Sequence, residues 1–395
     1  MTTNAISVPA ATAKLDALTG IRIIAALWVV VFHIRGNLAS EFESYAYVAP
    51  IFEYGELGVD LFFTLSGFVI ALAYGRRLSR RWSWNANLRF WWARFVRLWP
   101  AYMFVLLVVS AWHFFFVVAG RSDPVAPRDL SIGSFLRQMF MVIQWTEADS
   151  DRLTWNGPAW TVSAEVLAYI LFPALALLTV RSIDRIPTAW LPVIAVAATT
   201  PLIASAILRD SLYAPWTWVL RIACCFIAGY VIYFFYDRCK EFEFGHRWGG
   251  LIFLGCCAAF GAGLIVAYHA GMHSWGFTGI ALFPIMIGSL ALDKSIVART
   301  LSTKPFVLGG MISYSVYLVH MPIIEPLWAL QAVVPWLAPG STGSKLAFLI
   351  VPLLVLLVGY ALWRWVEEPS RRALRDVWGG ARAPQVPDEG SPSRT

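Results

Sequence analysis

Residues 56–119 read ELGVDLFFTLSGFVIALAYG (56–75), RRLSRRWSWNANLRFWWARFVRL (76–98) and WPAYMFVLLVVSAWHFFFVVA (99–119). Two apolar blocks flank a connection that holds seven arginines (Arg76, Arg77, Arg80, Arg81, Arg89, Arg94 and Arg97) and no acid. About twenty apolar residues, at a rise of ~1.5 Å each, cross the ~30 Å hydrocarbon core of a bilayer. Arg and Lys accumulate in connections on the cytoplasmic side. The stretch therefore reads as two transmembrane helices joined in the cytoplasm.

The rest of the chain repeats this pattern. Further apolar stretches lie at 17–37, 159–180, 189–208, 217–236, 249–269, 275–292, 306–328 and 346–366, which makes about ten spans. The first is the weakest, because Arg22 and His33 bracket its short apolar run. With Lys14 and Arg22 as a basic flank it resembles a signal peptide, but no convincing A-x-A site follows and another span comes soon after. With residues 76–98 inside, alternation puts 23 basic residues on the cytoplasmic side and seven outside, with Arg221 left within a span. The predicted fold class is all-α: a polytopic integral membrane protein with both termini cytoplasmic.

Composition agrees. Of 395 residues 58% are apolar and 14% charged, whereas soluble domains average about 45–50% and 25%. Disorder, collagen, coiled coil and a disulfide scaffold are excluded. The net charge of +7 is explained by topology, so no nucleic acid partner is expected. Cys224, Cys225, Cys256 and Cys257 sit in apolar runs and Cys239 in a charged connection, without a CxxC, and read as packing residues. His269 and His273 have metal-ligand spacing, but Gly271 intervenes and no HExxH follows, so no metal is expected. Residues 1–378 are expected to form one transmembrane domain, with an outward loop at about 120–158, and residues 379–395 a disordered cytoplasmic tail.

A charge at mid-bilayer costs at least ~2.5–3.5 kcal/mol, so ionisable residues within spans mark function by default. They are Asp16, Arg22, His33, Asp60, His113, Glu165, Arg221 and His320. Counting helix rise places His33, Glu165 and His320 in one layer of the outer half and leaves Arg22 near the inner face. The alternative for each is a structural role: an interfacial histidine, or a carboxylate in a salt bridge between spans. Arg221 most resembles such a structural partner.

Four patterns in order resemble the membrane-bound acyltransferase-3 family of bacterial O-acyltransferases. They are Leu15–Arg22 followed by His33 (Arg-x10-His), Gly58-Val59-Asp60 through Ser66-Gly67-Phe68, Arg94-Phe95-Val96-Arg97, and Trp160-Thr161-Val162-Ser163-Ala164-Glu165. Ser313-Tyr314-Ser315-Val316-Tyr317-Leu318-Val319-His320 echoes the family in the ninth span. The likeness thins between the fifth and eighth spans. It implies the stand-alone form of the family, in the bacterial cytoplasmic membrane.

The resemblance also implies transfer of an acyl group, acetyl above all, from acyl-CoA to a hydroxyl of a sugar in an envelope glycan or glycolipid. Acyl-CoA is then a donor substrate, and no permanently bound cofactor is expected. Arg94 and Arg97, at i,i+3, lie on one helix face and suit a bidentate phosphate clamp, with Arg22 on the same side. Their bland reading is topogenic. His33 and Glu165 are the expected catalytic pair. His33 either deprotonates the acceptor or carries the acyl group as acyl-imidazole, while Glu165 orients it, stabilises imidazolium or is itself the base. Asp60, Ser66, Thr161, Tyr314, Tyr317 and His320 are candidate acceptor or carbonyl contacts; Asp60 could instead pair with a cation. The alternatives are acylation of a secondary metabolite such as a macrolide sugar and, in another class, a proton-coupled transporter or flippase.

Overall fold

The computed structural model describes residues 10–118, 129–148 and 154–375. Ten helices in it are long and apolar enough to cross a membrane: α1 (Asp16–Glu41), α2 (Leu57–Leu78), α3 (Trp84–Phe115), α4 (Gly157–Ile183), α5 (Trp190–Arg209), α6 (Thr217–Cys239), α7 (Glu243–His269), α8 (His273–Leu292), α9 (Lys304–Gln331) and α10 (Thr342–Leu374). No strand occurs among the described residues. Each helix coincides with one expected span, and the chain is an all-helical, multi-pass membrane protein. The tail expected at 379–395 and most of the 120–158 loop's charged residues lie outside the described residues.

One boundary differs from the hydropathy reading. Helix α3 begins at Trp84, fifteen residues before the apolar block, so the helix expected to carry Arg94 and Arg97 starts earlier and takes in Arg89 as well. The reason is a one-sided aromatic stripe. Phe95 stacks on Trp92 at 5.6 Å and on Trp99 at 5.4 Å, and the indoles of Trp92 and Trp99 donate to the carbonyls of Leu374 (3.0 Å) and Met139 (3.1 Å). Hydropathy misses this extension because it counts the arginines against burial.

Helices α2, α6, α8 and α9 occupy the middle of the bundle, while α5, α7 and α10 turn broad faces outward. Apolar side chains gain little by leaving lipid for one another, so close approach depends on small residues at the crossings. Helices α2 and α6 meet through Gly67 and Gly229: a Cβ at 229 would lie 1.9 Å from the Thr64 carbonyl oxygen. Helices α1 and α9 meet where Gly310 faces Thr19, with 1.8 Å to its carbonyl oxygen for an added Cβ. That contact sets the register of α1 against α9. One turn further on, Arg22 and Tyr314 face the same space.

Two spans depart from α-helical winding at one end. Helix α2 makes a π turn at Ala71–Gly75 and α10 another at Trp363–Glu367. Helices α2 and α6 are also joined by a buried ion pair. Arg221 Nε and Nη2 donate to the two Asp60 carboxylate oxygens at 3.0 and 2.8 Å, and Nη2 also reaches the Glu56 carbonyl at 3.1 Å. The guanidinium lies near the rings of Trp160 (5.2 Å) and Tyr213 (5.6 Å).

Candidate active site

A cavity of about 450 Å³ opens between α1, α2, α3, α4 and α9. One wall is a stripe of α2 at helical spacing: Val59, Phe62, Phe63, Ser66, Val69, Ile70 and Ala73. From residue 59 to 73 that stripe runs about 21 Å along the helix axis. The cavity is therefore long and narrow, parallel to the spans. On the side of Ser66 away from Ala73 its lining is mostly apolar, with Val59, Phe63 and Val162.

Three guanidinium groups enter this space: Arg22 from α1, and Arg94 and Arg97 from the early-starting part of α3. The Nε atoms of Arg22 and Arg94 are buried without a hydrogen-bond partner. Arg22 lies over the Phe62 ring (5.8 Å) and Arg94 over the Tyr74 ring (5.5 Å). Glu165 on α4 is the carboxylate in the lining. Its Oε1 accepts hydrogen bonds from Ser66 Oγ at 2.8 Å and from the Tyr169 hydroxyl, and those two hydroxyls are 3.1 Å apart. Charges repel strongly where water is scarce. A site with three cations around one carboxylate and unpaired N–H groups is built to receive an anion.

Ser66, Tyr314 and Tyr317 also line the cavity. Tyr314 is anchored by its hydroxyl to the Leu98 carbonyl at 2.9 Å. Thr161 stands beside Tyr317: its Oγ1 lies 3.0 Å from the Tyr317 hydroxyl and 3.1 Å from the Pro158 carbonyl. Asp60 is not in the lining. Of the two placements open to it, the structure shows the cation pair, with Arg221.

The expected layer of His33, Glu165 and His320 is divided. His33 and His320 do meet, with ring centroids 4.7 Å apart, but neither lines the cavity, and Glu165 faces Ser66 and the arginines instead. Helix rise gives the depth of a Cα; it does not give the face of the helix or the reach of a side chain. Helix α4 turns Glu165 toward α2, and Thr161, one turn earlier, reaches α9. The boundary between cavity and histidines is Tyr317, whose ring also lies 5.3 Å from that of His320.

Both imidazoles have a defined tautomer. His33 Nδ1 lies 2.8 Å from the Val29 carbonyl, and His320 Nδ1 bonds the Tyr317 carbonyl. A carbonyl only accepts, so each Nδ1 carries a proton, and in the neutral ring each Nε2 offers a lone pair. His320 is fully buried and its Nε2 has no partner, whereas His33 is half-buried. A ring with a free Nε2 is equipped to accept a proton from a hydroxyl.

Sequence reasoning missed two residues here. Tyr169 clamps Glu165 from one turn away, a spacing visible in the sequence. Glu367, from the π turn of α10, is an electrostatic neighbour of Arg97 and Arg22; in the sequence it is one acid among the charges that follow the last span.

The family profile described as an acyltransferase domain matches residues 15–364, which contain every lining residue of the cavity. Among curated proteins, the chain is 25% identical over 334 residues to the peptidoglycan O-acetyltransferase OatA of Listeria monocytogenes, covering 78% of this chain and 49% of that protein. It is 25% identical over 185 residues to the acyltransferase MdmB of Streptomyces mycarofaciens, covering 45% and 42%. It is 22% identical over 380 residues to the O-acetyltransferase OatA of Staphylococcus aureus, covering 91% and 57%. The chain thus spans about half the length of the first of these relatives. No solved structure matches it. On the extent of the profile match and the order of its motifs, this chain belongs to the acyltransferase-3 family of membrane proteins.

Proposed function

We propose that the protein is an O-acyltransferase of the bacterial cytoplasmic membrane, with both termini in the cytosol. In this reading it takes an acyl group, acetyl first, from acyl-CoA and transfers it to a sugar hydroxyl. The observation that carries the reading is the cavity with three guanidinium groups, a clamped carboxylate and an apolar far end. Coenzyme A is a polyanion joined by a long arm to a thioester. Phosphates at Arg94, Arg97 and Arg22 direct that arm along the α2 stripe toward Ser66 and Glu165.

His33 Nε2 takes the proton of the acceptor hydroxyl as the oxygen attacks the acyl carbonyl; the C–S bond breaks and the thiolate recovers a proton. Transfer through acyl-imidazole on the same Nε2 is the other route. Either route requires Tyr317 to move aside, since it separates the cavity from the histidine pair. The relative named for peptidoglycan favours an envelope glycan or glycolipid as acceptor, with a secondary metabolite such as a macrolide sugar as the second choice.

The test uses purified protein in detergent with labelled acetyl-CoA and follows release of free coenzyme A. His33→Ala and Glu165→Gln should each reduce thioester turnover about 10²–10⁴-fold, the usual worth of a positioned acid or base. Wild-type protein that turns over no acyl-CoA while moving a solute across vesicles would replace the enzyme by a carrier.

A further inference from the structure

Glu367 has no part in the scheme above. It is 7% exposed, lies outside the cavity lining and stands on the π turn of α10. Its Oε2 accepts a hydrogen bond from Ser315 Oγ at 2.7 Å. Ser315 is fully buried on α9, next to the cavity residue Tyr314. Its charged neighbours include Arg97, Arg22 and Arg371. The same turn packs against α3, the helix that carries Arg94 and Arg97, and Trp92 of α3 is hydrogen-bonded to Leu374 near the end of α10.

A π turn inserts a residue and re-aims the side chains around it, and such turns are frequent at functional sites. Here the insertion turns a carboxylate toward the bundle interior at the level of the arginine cluster. The opposite wall has its own π turn in α2, where Leu72 and Ala73 line the cavity and Tyr74 lies beneath Arg94. Ser315 holds the carboxylate in place. It therefore acts on Arg97 and Arg22 through its charge, without a direct ion pair to either among the described residues.

Why place a negative charge behind a site for a polyanion? Spent coenzyme A keeps every phosphate of the thioester, because the chemistry alters only the far end of the arm. Arginines that hold the donor tightly hold the product equally tightly. Such uniform binding lowers KM without raising kcat, and product release often limits turnover. We infer that Glu367 is a positioning residue that acts as a counter-charge to Arg97 and Arg22, loosening the grip on coenzyme A so that the product leaves. This rests on the acyl-CoA reading above.

Glu367→Gln removes the charge and keeps an oxygen for Ser315. Isothermal titration of the full-length protein with free coenzyme A should show Kd falling roughly tenfold for one unit charge at this range. The gain should shrink as salt is raised, and kcat and KM for acetyl-CoA should fall together. A purely structural tie between α9 and α10 predicts weaker or unchanged binding, and that result overturns the inference. Ser315→Ala keeps the charge, so its Kd should stay within about twofold of wild type; tightening equal to that of Glu367→Gln would assign the effect to packing and overturn the role of charge. Should Glu367→Gln fail to fold, Glu367→Asp withdraws the charge by one methylene and should tighten binding by a smaller factor. Coenzyme A that binds neither wild type nor variant overturns the donor reading and this inference together; equal binding to both overturns the inference alone.

Discussion

At the scale of single residues, the most expensive feature is the buried pair Asp60–Arg221, with side chains 0% and 1% exposed. Removing one partner of such a pair leaves an uncompensated charge in a medium that cannot solvate it, at about 3–5 kcal/mol. Asp60→Asn should therefore lower the thermal unfolding midpoint in detergent by several degrees. The double variant Asp60→Leu, Arg221→Met should recover most of the loss, since apolar replacements of similar volume remove both charges of the pair together. A double variant as unstable as the single one would mean that the pair has a further role. Both residues stand out in the sequence as charges within spans. Their partnership does not, because nothing in residues 56–68 or 217–236 names the other.

At the scale of elements, the α2–α6 crossing decides whether the bundle closes. Gly229→Val would put a branched side chain where even a Cβ lies 1.9 Å from the Thr64 carbonyl oxygen, and backbone cannot yield as a side-chain tip can. The expected cost is about 3 kcal/mol or more, the upper range for overpacking, seen as loss of the monodisperse peak in size-exclusion chromatography. Gly255→Val is the control, because no atom lies within 4 Å of its Cβ position. Equal behaviour of the two variants would contradict this packing. Elements are also where the sequence reading was most complete, since length and hydropathy alone define a span. It fell short at the start of α3, which an aromatic stripe carries back to Trp84, and at the two π turns, which no apolar pattern announces.

For the whole molecule, the consequence is directional. Arg94 and Arg97 enter the cavity from the end of the bundle that also carries the arginine-rich 76–83 segment. In the orientation proposed above, which puts that end in the cytosol, acyl-CoA should support turnover only from the cytosolic face of oriented vesicles. Arg94→Ala together with Arg97→Ala should raise KM for acyl-CoA at least about tenfold, with a smaller change in kcat, as expected when charge-assisted phosphate contacts are lost. Insertion should be unaffected, and an unchanged KM would remove the phosphate clamp.

The amino-acid sequence by itself determined the number and order of the spans, and also which side chains are costly enough in a bilayer to require a reason: Arg22, His33, Asp60, Glu165, Arg221 and His320. Transfer from water to hydrocarbon is a property of each residue and can be read one position at a time. Only the tertiary structure decided who meets whom: Glu165 with Ser66, Tyr169 and the arginines, His33 with His320, and Glu367 behind Arg97. In a soluble helix the polar face shows which way the core lies. In this bundle lipid and interior are both apolar, so the rotation of each helix is set by close contacts such as Thr19–Gly310 and Gly67–Gly229, which exist only once the helices have packed.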